Sequence, residues 1–277
     1  MNNKIMDFYI DKVSRGPYFQ MESNHFHSEY ELYFLLSGTR KFFINHSFYT
    51  LHEHDLVLIS KGELHRTSFL SDSCHERIVL YFNEQWLSSL HLPITEDIRS
   101  ACLCTQKRTI GEDSNDYFQQ LLNRMLQEYS SQDNFSSSLL LNYFEELLVF
   151  LMRTKESSHM QNEDTTTDSD IVSAAQYICN NYSSDLTLED VAAYVNLSPT
   201  YFSKKFKTST GFGFKEYLIH TRLKEAAHLL ADTNDSITSI ATRCGFSDSN
   251  YFGDLFRKVT NQSPRDYRKN TSYNYQL

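Results

Sequence analysis

The sequence predicts an α+β protein of two domains: an all-β sandwich or barrel followed by helices, then an all-α domain built on a repeated helical pair. Three observations carry this. Residues 7–83 hold short aromatic and β-branched runs (ELYFLL, KFFIN, DLVLIS, RIVLYF) between polar turns, the spacing of a β-sandwich or barrel. Residues 114–152 change to helical spacing, and residues 171–277 contain an internal repeat. Between the halves, RTKESSHMQNEDTTTDSD (153–170) has almost no large apolar side chains and cannot build a core.

Taken in order, residues 1–110 form the β domain, 111–155 a helical segment, 156–170 a linker and 171–277 the second domain. In the helical segment, Phe118, Leu121, Leu122, Met125 and Leu126 make one stripe. Leu140, Phe144, Leu147, Leu148 and Leu151 make a second. Two adjacent amphipathic helices can cover the barrel or pair with a second subunit, and both readings stand at this point.

The 277 residues suffice for two cores. With 8 Gly and 4 Pro, collagen-like and Pro-rich disordered classes are excluded. No apolar run reaches the ~20 residues of a membrane span. The opening MNNKIMDFYIDK lacks an apolar stretch followed by small residues, so the expected location is the cytoplasm. Five cysteines, an odd count without C-x-x-C, read as reduced thiols. The net charge of −9 is uneven. Residues 1–170 carry 14 Lys+Arg against 25 Asp+Glu, or −11, and residues 171–277 carry 12 against 10, or +2. Such asymmetry assigns the halves different partners.

The repeat is the most informative feature. Leu188, Ala192, Val195, Leu197 and Ser198 recur 49 positions later as Ile237, Ala241, Cys244, Phe246 and Ser247. Tyr201, Phe202, Phe206 and Tyr217 recur at 50, as Tyr251, Phe252, Phe256 and Tyr267. The expectation is one extra residue early in the second helix of the second copy. Thr187 and Asp190 start the first helix, and Asn196 and Leu197 turn the chain. Ser198 caps the next helix, with Pro199 at its first position. In the second copy Gly245 ends the first helix, Ser247 is the expected cap, and Asp248 sits at the positive helix end.

Two short helices joined by a tight turn describe the helix-turn-helix, whose second helix enters the DNA major groove. Face arithmetic separates this from an ordinary helical hairpin. Phe202 and Phe206 point inward, while Thr200, Ser203, Lys204 and Lys207 form the opposite face. Short polar side chains allow close approach and Lys reaches phosphates. Fifty positions on, that face becomes Asn250, Gly253, Asp254 and Arg257, where Asn can pair with adenine and Arg with guanine. The candidate DNA-binding residues are Ser198, Pro199, Thr200, Tyr201, Ser203, Lys204, Lys207, Ser247, Asp248, Ser249, Asn250, Arg257 and Lys258. The apolar helix between the copies, YLIHTRLKEAAHLL, sets the separation of the two reading helices.

Residues 171–270 resemble the DNA-binding domain of the AraC/XylS family of bacterial transcription regulators. The match rests on IA-x-x-CGFSD-x-x-YF-x-x-x-FRK from Ile240, SPRDYR from Ser263, and the YL…RLKEAA…LL helix. Phe214, in the first-copy place of Pro264, and Asp254, where the family usually has a basic residue, depart from the pattern. The resemblance implies promoter DNA as partner, a homodimer, a small-molecule effector and, for an activator, RNA polymerase.

Eight of the 11 histidines lie between residues 25 and 91. The order H-x-H-x3-E-x6-G (His25, His27, Glu31, Gly38), then G-x-x-H (Gly62, His65), is similar to the two motifs of the cupin β-barrel, a small jelly roll. Phe19, His54, Ser60 and Phe69 stand where cupin enzymes have Gly, Gly, Pro and Asn. The cupin resemblance implies that His25, His27, Glu31 and His65 could hold one divalent transition metal. The same residues with Tyr33, on inward strand positions, could instead hydrogen-bond one another or bind a sugar or small metabolite. The leading reading is a non-enzymatic, effector-controlled DNA-binding regulator. The rival is a metal-dependent cupin enzyme or metal sensor with a fused DNA-binding domain.

Overall fold

The computed structural model describes residues 7–17, 29–69, 74–131, 133–154 and 169–273. The first domain contains β1 (Phe8–Arg15), β2 (Tyr30–Ser37), β3 (Arg40–Ile44), β4 (Ser47–Leu51), β5 (Asp55–Ile59), β6 (His65–Phe69) and β7 (His75–Phe82). Short helices α1 (Glu84–Ser88) and α2 (Glu96–Ile98) follow, then a π-helical turn over Arg99–Leu103 and β8 (Gln106–Thr109). Helices α3 (Glu112–Ser131) and α4 (Ser136–Arg153) close the domain. The strands make two antiparallel sheets, β1-β7-β2-β5-β8 and β4-β3-β6, packed face to face as the predicted jelly roll.

Strand periodicity gives the larger sheet two apolar faces. On β2, Leu32 and Phe34 point one way, and Tyr33 and Leu35 the other. Leu32 pairs across to Leu58 of β5 and Leu80 of β7, so one register aligns the whole outer face. The inner face meets Phe42, Ile44, Tyr49 and Leu51 of the smaller sheet. Onto the outer face pack both helical stripes: Phe118, Leu121, Leu122 and Met125 of α3, and Leu140, Phe144, Leu147, Leu148 and Leu151 of α4. Both stripes therefore cover the barrel. Arg108 of β8 ties the layer down by donating to the carbonyls of Leu151 and Ala101.

The second domain contains α5 (Ser169–Asn181), α6 (Leu188–Tyr194), α7 (Pro199–Thr210), α8 (Phe214–Asp232), α9 (Ile237–Arg243), α10 (Ser249–Thr260) and α11 (Pro264–Tyr273). Among the described residues no helix is long and apolar enough to cross a membrane. The α6–α7 and α9–α10 pairs are the two predicted copies. Thr187 and Asp190 cap α6 reciprocally, with amide-to-side-chain distances of 3.2 and 2.9 Å. Starts of the first helices are 49 apart (Leu188, Ile237), and starts of the second are 50 apart (Pro199, Ser249).

The extra residue therefore lies in the turn, not within the second helix as the sequence suggested. Its consequence is a change of cap. Ser198 caps α7, its Oγ accepting from the Tyr201 amide at 3.4 Å. For α10 the cap is Asp248, whose Oδ1 accepts from the amides of Asn250 (2.7 Å) and Tyr251 (3.2 Å). Ser247 stands one residue before that cap, correcting the expectation that it is the cap itself. A short carboxylate satisfies two amides at the positive helix end, which a hydroxyl does less well. Each turn also needs a left-handed residue. Asn196 (φ 56°) supplies it in the first copy and Gly245 (φ 82°) in the second. The amides of Leu197 and Phe246 then reach back to the carbonyls of Ala192 and Ala241 at 2.9 and 3.0 Å, closing both turns alike.

Leu148 is buried between α4 and the barrel, so Leu148→Lys should place an unpaired ammonium in an apolar core. The expected result is a loss of several kcal/mol in N-terminal domain stability. Thermal unfolding of the full chain checks it; a soluble, equally stable variant would contradict the packing described.

Candidate functional site

The two second helices present matching outer faces. In α7, Phe202 and Phe206 are fully buried while Thr200, Ser203, Lys204 and Lys207 are exposed. In α10, Phe252 and Phe256 are buried while Asn250, Asp254, Arg257 and Lys258 are exposed and Ser249 is half-buried. Ser198, Pro199 and Ser247 lie exposed at the helix entries, Pro199 being the first residue of α7. Tyr201 and Tyr251 stand out at 55% and 52% exposure, fifty positions apart at the same place in each helix. An exposed aromatic at both equivalent positions, beside short polar and basic groups, suits a surface that meets another molecule. The sequence reading paired Tyr201 with Tyr251 in the repeat but placed only Tyr201 among the candidate DNA-binding residues.

Inside the barrel, Glu31 and His65 are brought together, as the cupin resemblance implied. His65 Nε2 lies 3.1 Å from Glu31 Oε2, and its Nδ1 lies 2.9 Å from the Glu63 carbonyl, which orients the ring. Both side chains are buried. Tyr33 is buried nearby, its hydroxyl pushed up by burial while Arg77 and Arg40 pull it back. His25 and His27 lie outside the described residues. Among the described residues no group of three or more His, Cys, Asp or Glu is placed to hold a metal ion. Of the four residues that the cupin resemblance implies, Glu31 and His65 are the two among the described residues.

The sequence reading also missed the inward cations. Arg40 is 1% exposed and donates to Thr67 Oγ1 at 3.2 Å. The Arg77 guanidinium lies 5.1 Å from the Tyr33 ring centre. His75 is pushed down to about 4, first by burial and then by Arg40, Arg77 and Arg15. Burial, with Glu31 alongside, drives the Tyr81 hydroxyl up. The alternation of β7 places Arg77, Val79 and Tyr81 on one face, so RIVLYF carried a signal for two of these residues.

The small sheet meets the second domain. Phe43, Phe48 and Leu64 share one apolar cluster with Ile171, Phe206 and Tyr217. The Tyr217 hydroxyl donates to the Asn45 carbonyl, and Lys224 Nζ lies 2.7 Å from Glu63 Oε2. Beside them is a cleft of about 150 Å³ lined by His46, Cys179, His220 and Thr221, among others. Burial lowers both histidines, with Lys224 adding to the effect on His46.

Two family models match the chain: an AraC-like ligand binding domain over residues 13–148 and a helix-turn-helix domain over 191–270. The chain belongs to the AraC family of transcriptional regulators. An Escherichia coli member, the uncharacterized HTH-type transcriptional regulator YijO, is 46% identical over 101 residues, 36% of this chain and 35% of that protein. The chain thus spans only about a third of YijO's length. The Msm operon regulatory protein of Streptococcus mutans is 24% identical over 245 residues, 88% of this chain and 86% of that one. Among solved structures, ToxT from Vibrio cholerae aligns over 95% of this chain and 98% of its own at 16% identity, with a TM-score of 0.39. Membership of the AraC family agrees with both resemblances read from the motifs.

The depressed His75 gives a pH dependence with a definite sign. Between the ordinary 6.5 and about 4 the unfolded chain binds a proton that the folded barrel refuses. Stability is therefore complete above that window and falls as pH drops through it. Melting temperatures from pH 7.5 to 4.5 should show the fall, with a shallower slope in His75→Gln; equal slopes would contradict it.

Proposed function

We propose that this chain is a sequence-specific DNA-binding transcription regulator controlled by a small organic effector in its N-terminal barrel. The observation that carries the reading is the pair of equivalent helices, α7 and α10, with aromatics turned inward and short polar and basic groups turned out. In this reading Lys204 and Lys207 meet phosphates, while Thr200, Ser203, Asn250 and Arg257 meet base edges. The names of the relatives support it, YijO being called a transcriptional regulator and the Msm protein an operon regulatory protein. Its partners are double-stranded promoter DNA, the effector and, where it activates, RNA polymerase.

Glu31, Tyr33, His65 and the guanidinium groups of Arg40 and Arg77 form the effector site in this reading. A few converging polar groups in an aromatic surround suit a polar metabolite. Effector control also needs a physical route to the DNA-binding half. The Glu63–Lys224 pair and the Tyr217–Asn45 hydrogen bond supply one, because both hold α8, which joins the two helix pairs. Binding in the barrel alters DNA affinity only if the effector favours one arrangement of that contact.

Selection from random-sequence DNA with the full chain tests the reading: a defined bipartite site should emerge, and an absence of enrichment would sink it. Lys207→Ala should weaken binding to all sequences and lower the salt slope by about one unit. Arg257→Ala should relax preference at one position, costing about 1–3 kcal/mol. For the route, Glu63→Lys and Lys224→Glu should each expand the full chain in small-angle scattering and shift DNA affinity. Their combination should restore both; a double variant no better than the singles would remove the ion pair from the coupling.

A further inference from the structure

Gly253 is the fifth residue of α10, on the face that carries Asn250, Asp254 and Arg257. Its backbone φ is not in the left-handed region, which among the glycines holds Gly38, Gly62, Gly211 and Gly245. A Cβ placed on Gly253 would meet nothing within 4 Å. Gly245 makes the contrast plain, since a Cβ there would come within 2.9 Å of the Arg222 guanidinium, at φ +82°. Gly245 is required by the fold; Gly253 is not.

A glycine inside a helix lowers stability relative to alanine, because it loses more backbone entropy on folding and packs no side chain. The chain carries that loss at Gly253 with no return from dihedral angle or packing. Fifty positions earlier the equivalent residue is Ser203, exposed and also small. Longer side chains surround both, Tyr201 and Lys204 in α7, Tyr251 and Arg257 in α10. What the two positions share is their place on the outward faces, so the clearance at Gly253 serves something outside the chain.

We infer that Gly253 is where α10 comes closest to the base edges of the major groove, and that its missing side chain sets base preference there. The inference rests on the DNA-binding reading above. With hydrogen alone at this position the helix backbone can lie against the groove floor, where thymine methyls and base edges project. Asn250 and Arg257, about one turn to either side, then reach neighbouring base pairs. A side chain at position 253 would hold α10 away from the groove and lengthen both contacts.

The test uses the full chain with Gly253→Ala and Gly253→Leu, both residues that helices accept readily. Gly253→Ala should raise the melting temperature by about 2–4 °C. At the site selected by the unaltered chain it should lower affinity about tenfold, with a larger loss for Gly253→Leu. Binding to random DNA should stay within about twofold, because phosphate contacts carry it. A lower melting temperature in Gly253→Ala would show that the fold needs the glycine and would overturn the inference. Selective binding by the unaltered chain matched by Gly253→Leu would overturn it alone. An unaltered chain that enriches no sequence would overturn both it and the reading beneath it.

Discussion

Helix α8 belongs to two cores at once, and the rest of the molecule is arranged around that fact. Phe214, Tyr217 and Leu218 complete the core of the first helix pair, and Leu223, Ala226 and Leu230 complete that of the second. Its 19 residues rise roughly 28 Å, long enough to reach both cores. The two helix pairs are therefore held toward opposite ends of one continuous rod. Two arginines hold the ends of the preceding helices in place. Arg222 donates to the carbonyls of Tyr182 and Ser184, both at 2.7 Å, just beyond α5. Arg268 does likewise at the end of α8, reaching the Leu230 carbonyl in its last turn at 3.4 Å and the Asp235 carbonyl beyond it at 2.7 Å.

The barrel meets the second domain through the small sheet, at Phe43 of β3 and Phe48 of β4, and through the neighbouring Asn45, Glu63 and Leu64. On β3, Arg40, Phe42 and Ile44 face the interior, while Phe43 between them faces the second domain and touches the Tyr217 ring at 6.2 Å between centres. The polar cluster and the domain contact are therefore opposite faces of one ribbon. A shift of β3 that suits a group bound beside Arg40 must also move Phe43, since packed interiors do not yield locally. Glu63 strengthens the same link, because the loop that carries its carboxylate to Lys224 also presents its carbonyl to His65.

Most of the helical half was legible in the residues. Caps, turns and inward aromatics depend on neighbours within a turn or two, so Thr187, Ser198, Asn196, Gly245 and the Phe202/Phe206 and Phe252/Phe256 pairs announce themselves. The cap of α10 was misplaced by one residue because two acceptable caps, Ser247 and Asp248, stand side by side. Only the path of the turn chooses between them. In the barrel, the Glu31–His65 pairing is what the cupin resemblance implied, while strand alternation placed Tyr33 on the same face as Glu31. Arg40, His75 and Arg77 passed unnoticed because a charged residue in a strand reads as solvent-facing until the opposite sheet is in place.

By itself, then, the sequence determined the two-domain plan, the doubled helix-turn-helix and the outward faces of α7 and α10, since these rest on local hydrogen bonding and on periods of 2 and 3.6 residues. The tertiary structure decided what those faces and stripes meet. It committed α3 and α4 to the barrel, buried Arg40 between the sheets, and joined Glu63 to Lys224 across 161 residues. Those outcomes depend on apolar surface and charge brought together from distant parts of the chain. No local pattern encodes them, because each partner's exposure is set by the other.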